Sequence, residues 1–371
     1  MDKQEDSDKQ GKGFFTVNLS LIDGMVKKGA AAEELMAYLV LARGIDKAGR
    51  YAALSTHGAN SIGNRTGCSN TRAIKALDWL VQHGFIKPIK ADTNQSKRTS
   101  HKWQLVEVPT ELPLANELAD GIGRGKGIPP MERIYNQSKG KTIGIARLDT
   151  LMLLLHLYKH QELSEYGGIN PTAAIYRNWQ TAENCQGEKV TDLDGTNAAI
   201  YEITGGERTH YLDFSKEALF YVAERTERTE RFWDAFNNLQ RLNWLYETTQ
   251  IWSADPSEHK KAEPLYTLYV HDRDIRKRNS EPYLANAINQ VAIKQVNPDY
   301  GFFNQDGEFD PEADLFGGQF RYVANKKTGG FPIGIYRLKF RPPTKDTGKG
   351  MAAEKHRIEN WKDQLSRLVS H

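Results

Sequence analysis

The chain has 371 residues, enough for two or three domains at about 100–200 residues each. It is 39% hydrophobic and 26% charged, the balance of an ordinary globular protein. A net charge of only +3 excludes a strongly cationic nucleic-acid coat, so any affinity for DNA must come from local patches.

Two cysteines, Cys68 and Cys185, are too few for a disulfide scaffold and lack zinc spacing, so reduced thiols are expected. The N-terminal run MDKQEDSDKQGKG has no apolar core and does not read as a signal peptide. The longest apolar run, Leu151 to Leu155, is far short of the roughly 20 residues that span a bilayer. These features point to a cytoplasmic protein, associated with a nucleoid or plasmid if it binds DNA.

In chain order, residues 1–13 read as a disordered tail. Phe14 to Ile22 alternates apolar and polar, a strand pattern. Ala30 to Gly44 carries a helical stripe of Leu35, Tyr38, Leu39 and Ala42. Thr56 is placed to cap a short helix ending at Thr66, with a turn at Gly67 and Cys68. Ser69 caps a second helix that stops at Gly84, with Ile74, Leu77, Leu80 and Val81 as its expected inner face. Strands at 85–90 and 102–108 flank the polar tip ADTNQSKRTS.

Residues 109–145, with four prolines and the runs GIGRGKG and SKGKT, read as a basic linker. Arg147 to Leu163 is an apolar helix, and 164–212 has the character of an insertion. Helices are expected at 215–226 and 229–243, the second with Phe232, Phe236, Leu239 and Leu242 inward. Strands at 245–252 and 265–270 follow, around the tip SADPSEHKKAEP. In the last hundred residues, 282–296 and 351–369 read as helices and 331–340 as a strand.

One stretch occurs twice. ALDWLVQHGFI at 76–86 aligns without a gap on AFNNLQRLNWL at 235–245. Ala76 falls on Ala235, Leu80 on Leu239, Phe85 on Trp244 and Arg72 on Arg231. Each copy has a short helix, a polar turn, and a second helix running into an apolar strand. That is the layout of a helix-turn-helix with a β wing.

The runs FFTVNLSLIDGM, EELMAYLVLARGI and SNTRAIKALDWLVQHGFIK resemble, in order and spacing, the N-terminal winged helices of plasmid and phage replication initiators. The resemblance covers about residues 14–108, with a weaker echo at 146–270. It is shared with bacterial winged-helix regulators. It implies a helix-rich α+β fold with two winged-helix domains in tandem: 14–108, and 146–270 with its insertion at 164–212. A C-terminal extension of unassigned role follows at 271–371.

The implied function is site-specific binding of double-stranded DNA, as a replication initiator or transcriptional regulator of a bacterial mobile element. The alternative is a structural adaptor whose winged helices hold proteins in a DNA-associated complex. A homodimer or other nucleoprotein components are the candidate partners, besides DNA.

The first recognition helix presents Asn70, Thr71, Arg72 and Lys75. Arg72 has the chemistry for a bidentate contact to guanine. The first wing offers Lys87, Lys90, Lys97, Arg98, His101 and Lys102 for phosphates, each such contact releasing counterions. The second helix and wing offer Arg228, Thr229, Arg231, Asn237, Asn238, Arg241, Lys260 and Lys261, interrupted by Glu227, Glu230 and Asp234.

Catalytic signals are weak, so neither an enzyme nor a cofactor is expected. His156 and His160 have helical metal-pair spacing, but Leu157 stands where a zinc-protease motif needs Glu, and surface histidines are the expectation. Gly140-Lys141-Thr142 lacks the upstream glycine of a phosphate loop, since Tyr135 occupies that position. The carboxylates of 304–314 fail the calcium-loop pattern.

Overall fold

The structure is a computed structural model that describes residues 13–45, 50–89, 102–121, 128–181, 191–192, 198–210, 225–256, 261–270, 320–325 and 330–369. The chain mixes helix and sheet and divides into two compact units. The first is drawn from residues 1–159, 213–245 and 338–345, the second from 160–212, 246–337 and 346–371. Several expectations lie outside the described residues: the tail, the helix at 282–296, the carboxylate run at 304–314, and nearly all of the helix at 215–226. So do the wing residues Lys90, Lys97, Arg98, His101 and Lys260.

In the first unit, β1 spans Phe14–Val17 and α1 spans Leu19–Lys27. The expected strand to Ile22 therefore stops early. Leu19, Ile22 and Met25 are buried at helical spacing. The cause is tertiary. The Asn18 side chain accepts from the backbone of Thr110 (2.9 Å) and Glu111, and the Glu111 carboxylate accepts from Leu19 N at 2.9 Å. That carboxylate satisfies an amide the new helix leaves open.

Helix α2, Ala32–Arg43, begins with the Glu34 carboxylate reaching back to Ala31 N at 2.8 Å. Every residue from Leu35 to Ala42 is buried. Strand β2, Leu54–Ser55, leads to α3, Ala59–Thr66. The helix starts at Gly58 rather than at Thr56, whose amide instead closes onto Gly44 O. Gly67, at φ +71°, ends it in the left-handed region that glycine tolerates. Helix α4, Asn70–Gln82, is capped by the Ser69 hydroxyl, as expected.

Strands β3, Ile86–Pro88, and β4, Trp103–Leu105, complete an antiparallel sheet in the order β2-β4-β3. The described part of the expected linker is structured. Strand β5, Leu112–Ala115, pairs antiparallel with β1 from Val17↔Leu112 to Phe14↔Ala115. Helix α5, Glu117–Asp120, places Asp120 between Arg43 and Arg65, 2.5 and 2.9 Å away. Helix α6, Pro130–Gln137, buries Met131, Ile134 and Tyr135. Leu112, Leu114, Leu118 and Ile134 are core residues, which composition alone hides behind proline and glycine.

Helices α7, Ile143–Lys159, and α8, Arg225–Arg241, pack on each other in this same unit. The expected inner face of α8, Phe232, Phe236, Leu239 and Leu242, is buried. The internal repeat is visible here. Ala76 and Ala235, Leu80 and Leu239, and Ile86 and Leu245 are all buried. Gly84 and Asn243 occupy aligned positions, and both end their helix with positive φ, +77° and +57°.

The second unit is built on a sheet. It comprises β6 (Gln161–Glu162), β7 (Gly168–Ile169), β8 (Ile175–Thr181), β9 (Thr191–Asp192), β10 (Ala198–His210), β11 (Leu245–Trp252), β12 (Pro264–Val270), β13 (Phe320–Asn325), β14 (Phe331–Leu338) and helix α9 (Lys345–Val369). Strands β6 and β7 pair separately. The large sheet runs β12-β11-β14-β8-β10-β13, with β9 on β10. The expected insertion at 164–212 therefore supplies central strands, and β11 with β12 forms one edge of that sheet rather than a separate two-stranded wing. Tyr176, Trp252, Ile333 and Ile335 form a shared core that ties these strands together.

Helix α9 is pinned by charge and ring stacking. The buried Glu354 carboxylate meets Arg337 at 3.2 Å, Arg357 at 3.1 Å and the Thr267 hydroxyl. Burial alone would raise its pKa, but Arg337, Thr267 and Arg357 outweigh that and hold it below the usual carboxylate range. Trp361 stacks on Tyr266 at 3.9 Å.

The α7–α8 contact carries a sharp energetic test. Arg231 makes a two-pronged bond to Asp149 (2.7 and 2.8 Å), whose side chain is 3% exposed. Arg231→Ala removes the guanidinium that carries this buried charge and should cost ~3–5 kcal/mol. Arg231→Met with Asp149→Leu should recover most of it, as read by denaturant midpoints. An undiminished midpoint in the single variant would show that the pair contributes nothing.

Candidate nucleic-acid interface

Helix α4 is set by its buried side. Ala73, Ala76, Leu77 and Leu80 face inward, and α4 packs on α2 and α3. A fully buried leucine contributes about 1.5–3 kcal/mol to such a contact. Ile74 and Val81, expected inward, are exposed at 45% and 37%. Ala73 and Leu80 lie at the centre of the buried face, and Val81 and Ile74, at about 80–100° from Ala73, fall on its rim.

At about 100° per residue, Thr71, Lys75 and Asp78 form the middle of the outward face. Asn70, Thr71, Arg72, Lys75 and Asp78 are all exposed.

Arg72 behaves differently from the expectation. Its side chain is 57% exposed, but the guanidinium donates to the Tyr135 hydroxyl and lies 3.7 Å from the Glu33 carboxylate. The Tyr135 ring also lies 4.0 Å beneath Arg147. Helix α6 thus reaches the turn before α4 and holds Arg72 toward one flank. A Cβ on Gly67 would come within 2.6 Å of Glu132 Cγ, which shows how closely α6 approaches that turn.

The other flank of α4 opens on a groove of about 410 Å³, lined by Gly58, Asn60, Ile74, Asp78, Lys102 and Trp103 among others. Lys102 is exposed beside the start of α3, with its Cδ 3.3 Å from where a Gly58 Cβ would sit. Lys87 on β3 is exposed as well. Lys75, Lys87 and Lys102 therefore lie on α4 and on the adjoining hairpin.

The residues expected from the second copy are placed otherwise. Arg231 is committed to Asp149. Asn238 is 3% exposed; its amide donates to Thr150 Oγ1 (3.1 Å) and Lys139 O (3.0 Å), and its oxygen accepts from Lys139 N. Arg241 donates to Gln137 O and, at 2.7 Å, to Asn238 Oδ1. Arg231 and Asn238 thus tie α8 to α7 and to the segment before it, which corrects their assignment to a DNA-facing surface; Arg241 bonds the same segment but is itself exposed. Thr229 and Lys261 are exposed. Arg228 lies on α8, with its side chain outside the described residues.

His156 is fully buried, not a surface residue, and its Nε2 meets Asp23 at 3.3 Å. Among the described residues no group of His, Cys, Asp or Glu could hold a metal ion. Nor is any of their helices long and apolar enough to cross a membrane.

His57, at the entry to α3, carries no signal in the sequence that singles it out. Its Nδ1 donates to Val40 O at 2.9 Å. Burial lowers its pKa, and the nearby Arg65 and Arg43 push the same way. No family model, curated protein or solved structure matches the chain.

The His57 environment has a pH consequence. The folded state resists a proton that the unfolded chain accepts near pH 6.5. The stability due to neutral His57 is present above that value and is lost as pH falls through the lowered folded pKa. His57→Asn keeps a donor for Val40 but cannot charge. Its melting temperature should therefore drop less than wild type between pH 7.5 and 5.5. Equal drops would show that His57 does not carry the acid sensitivity.

Proposed function

We propose that residues 32–105 form a winged helix and that α4, with the adjoining hairpin, binds double-stranded DNA at specific sites. The observation that carries this reading is topological. Helix α2, strand β2, helices α3 and α4, and strands β3 and β4 follow one another, with the sheet ordered β2-β4-β3. A helix with a solvated outer face stands beside a hairpin bearing lysines, the geometry with which such domains fill a major groove and touch the flanking backbone. The recurrence of the helix, of an aligned arginine bonded to a carboxylate on an earlier helix, and of the positive-φ helix end in α8 supports a tandem origin. In that second copy Arg231 and Asn238 bond within the first unit, which favours the first copy as the reading head.

The biological role that fits is a replication initiator or transcriptional regulator of a bacterial mobile element. The competing adaptor role would use the same surface for protein. Salt dependence separates the two. Log K for a duplex falls with log[salt] by about 0.9 per phosphate contact. Lys75→Ala and Lys102→Ala should each weaken binding to all duplexes and flatten that slope by about one. Slopes identical to wild type would remove both lysines from the interface, and no measurable duplex affinity would favour the adaptor.

A further inference from the structure

We infer that Ile74 reads a thymine, by packing its side chain on the C5 methyl group exposed in the major groove. This rests on the DNA-binding reading above and adds what the site selects. Ile74 lies on the second turn of α4, 45% exposed, between Thr71 one turn before and Asp78 one turn after. It borders the groove shared with Leu77, Lys102 and Trp103. A large apolar side chain left in water beside a solvated stripe gains by contact with an apolar partner. The only apolar group that base edges offer in the major groove is the thymine methyl.

The charges around Ile74 favour a nucleic-acid partner. Lys75 adjoins it on the helix, and Lys102 lies across the groove. Asp78, which only accepts when ionised, suits an exocyclic amino group of adenine or cytosine at a neighbouring base and disfavours guanine there. Arg72, the residue whose chemistry suits guanine, is held on the opposite flank by Tyr135 and Glu33. The outer face of α4 therefore pairs an apolar contact with an acidic one, where the sequence alone suggests an arginine.

For the test, duplexes are selected from a random-sequence library on the full-length chain. In a selected duplex each thymine is then replaced in turn by deoxyuridine, which removes one methyl and leaves base pairing intact. At one position wild type should lose affinity about three- to fivefold, the effect of one buried methyl. Ile74→Ala should bind the thymine duplex weakly by a similar factor and should no longer distinguish it from the deoxyuridine one.

Tolerance of deoxyuridine at every position would overturn the inference while leaving the DNA reading in place. So would an Ile74→Ala variant that still discriminates. Failure to enrich any sequence would overturn the DNA reading, and this inference with it. Ile74 is on the surface, so an unchanged melting temperature of Ile74→Ala confirms that the comparison is made on folded protein.

Discussion

Helix α2 is buried from Leu35 to Ala42 without a break, so it has no face left for solvent. A helix of this kind cannot exist alone. It needs cover on every side, and the first unit supplies it: α3, α4, β1, β2, β4, α5 and α7 all pack against it. The position of α4 follows from that demand. Its buried face of Ala73, Ala76, Leu77 and Leu80 is turned to α2 and α3, and helical period then directs Thr71, Lys75 and Asp78 outward. Cover also comes from residues far along the chain, which is why β5 and α5 fold back beside the start of the unit.

The two copies of the repeat hold their charges differently. In both, an arginine on the second helix meets a carboxylate on an earlier helix. Arg72 and Glu33 stand 3.7 Å apart and partly open to water, whereas Asp149 is buried and doubly bonded by a largely covered Arg231. The exposed pair contributes little to stability, and the buried one is costly to break. In the second copy Asn238, also buried, bonds Thr150 in the same way.

The local devices are legible in the sequence because they depend on neighbours in the chain. The Ser69 cap, the Gly67 turn, the end of α4 at Gly84 and the inner face of α8 belong to this class. Sequence and structure part where a distant residue decides. Glu111 and the backbone at 110–111 turn the strand-like run after Asn18 into a helix. Strand β5 is recognisable only once β1 is available to pair with it. For the site, the exposure of Thr71 and Lys75 is readable from helical period, but the capture of Arg72 by Tyr135 is not. Ile74 reads as inward because apolar residues usually are, but it falls at the rim of the face that Ala73, Ala76, Leu77 and Leu80 bury.

On this reading the outer face of α4 meets DNA, while Arg231, Asn238 and Arg241 of α8 are bonded within the first unit. Photo-crosslinking tests it most directly. A photoreactive side chain in place of Lys75, in the full chain bound to duplex DNA, should attach to bases. The same group in place of Arg241 should attach to protein. Duplex binding with crosslinks to DNA from position 241 and none from position 75 would contradict the account.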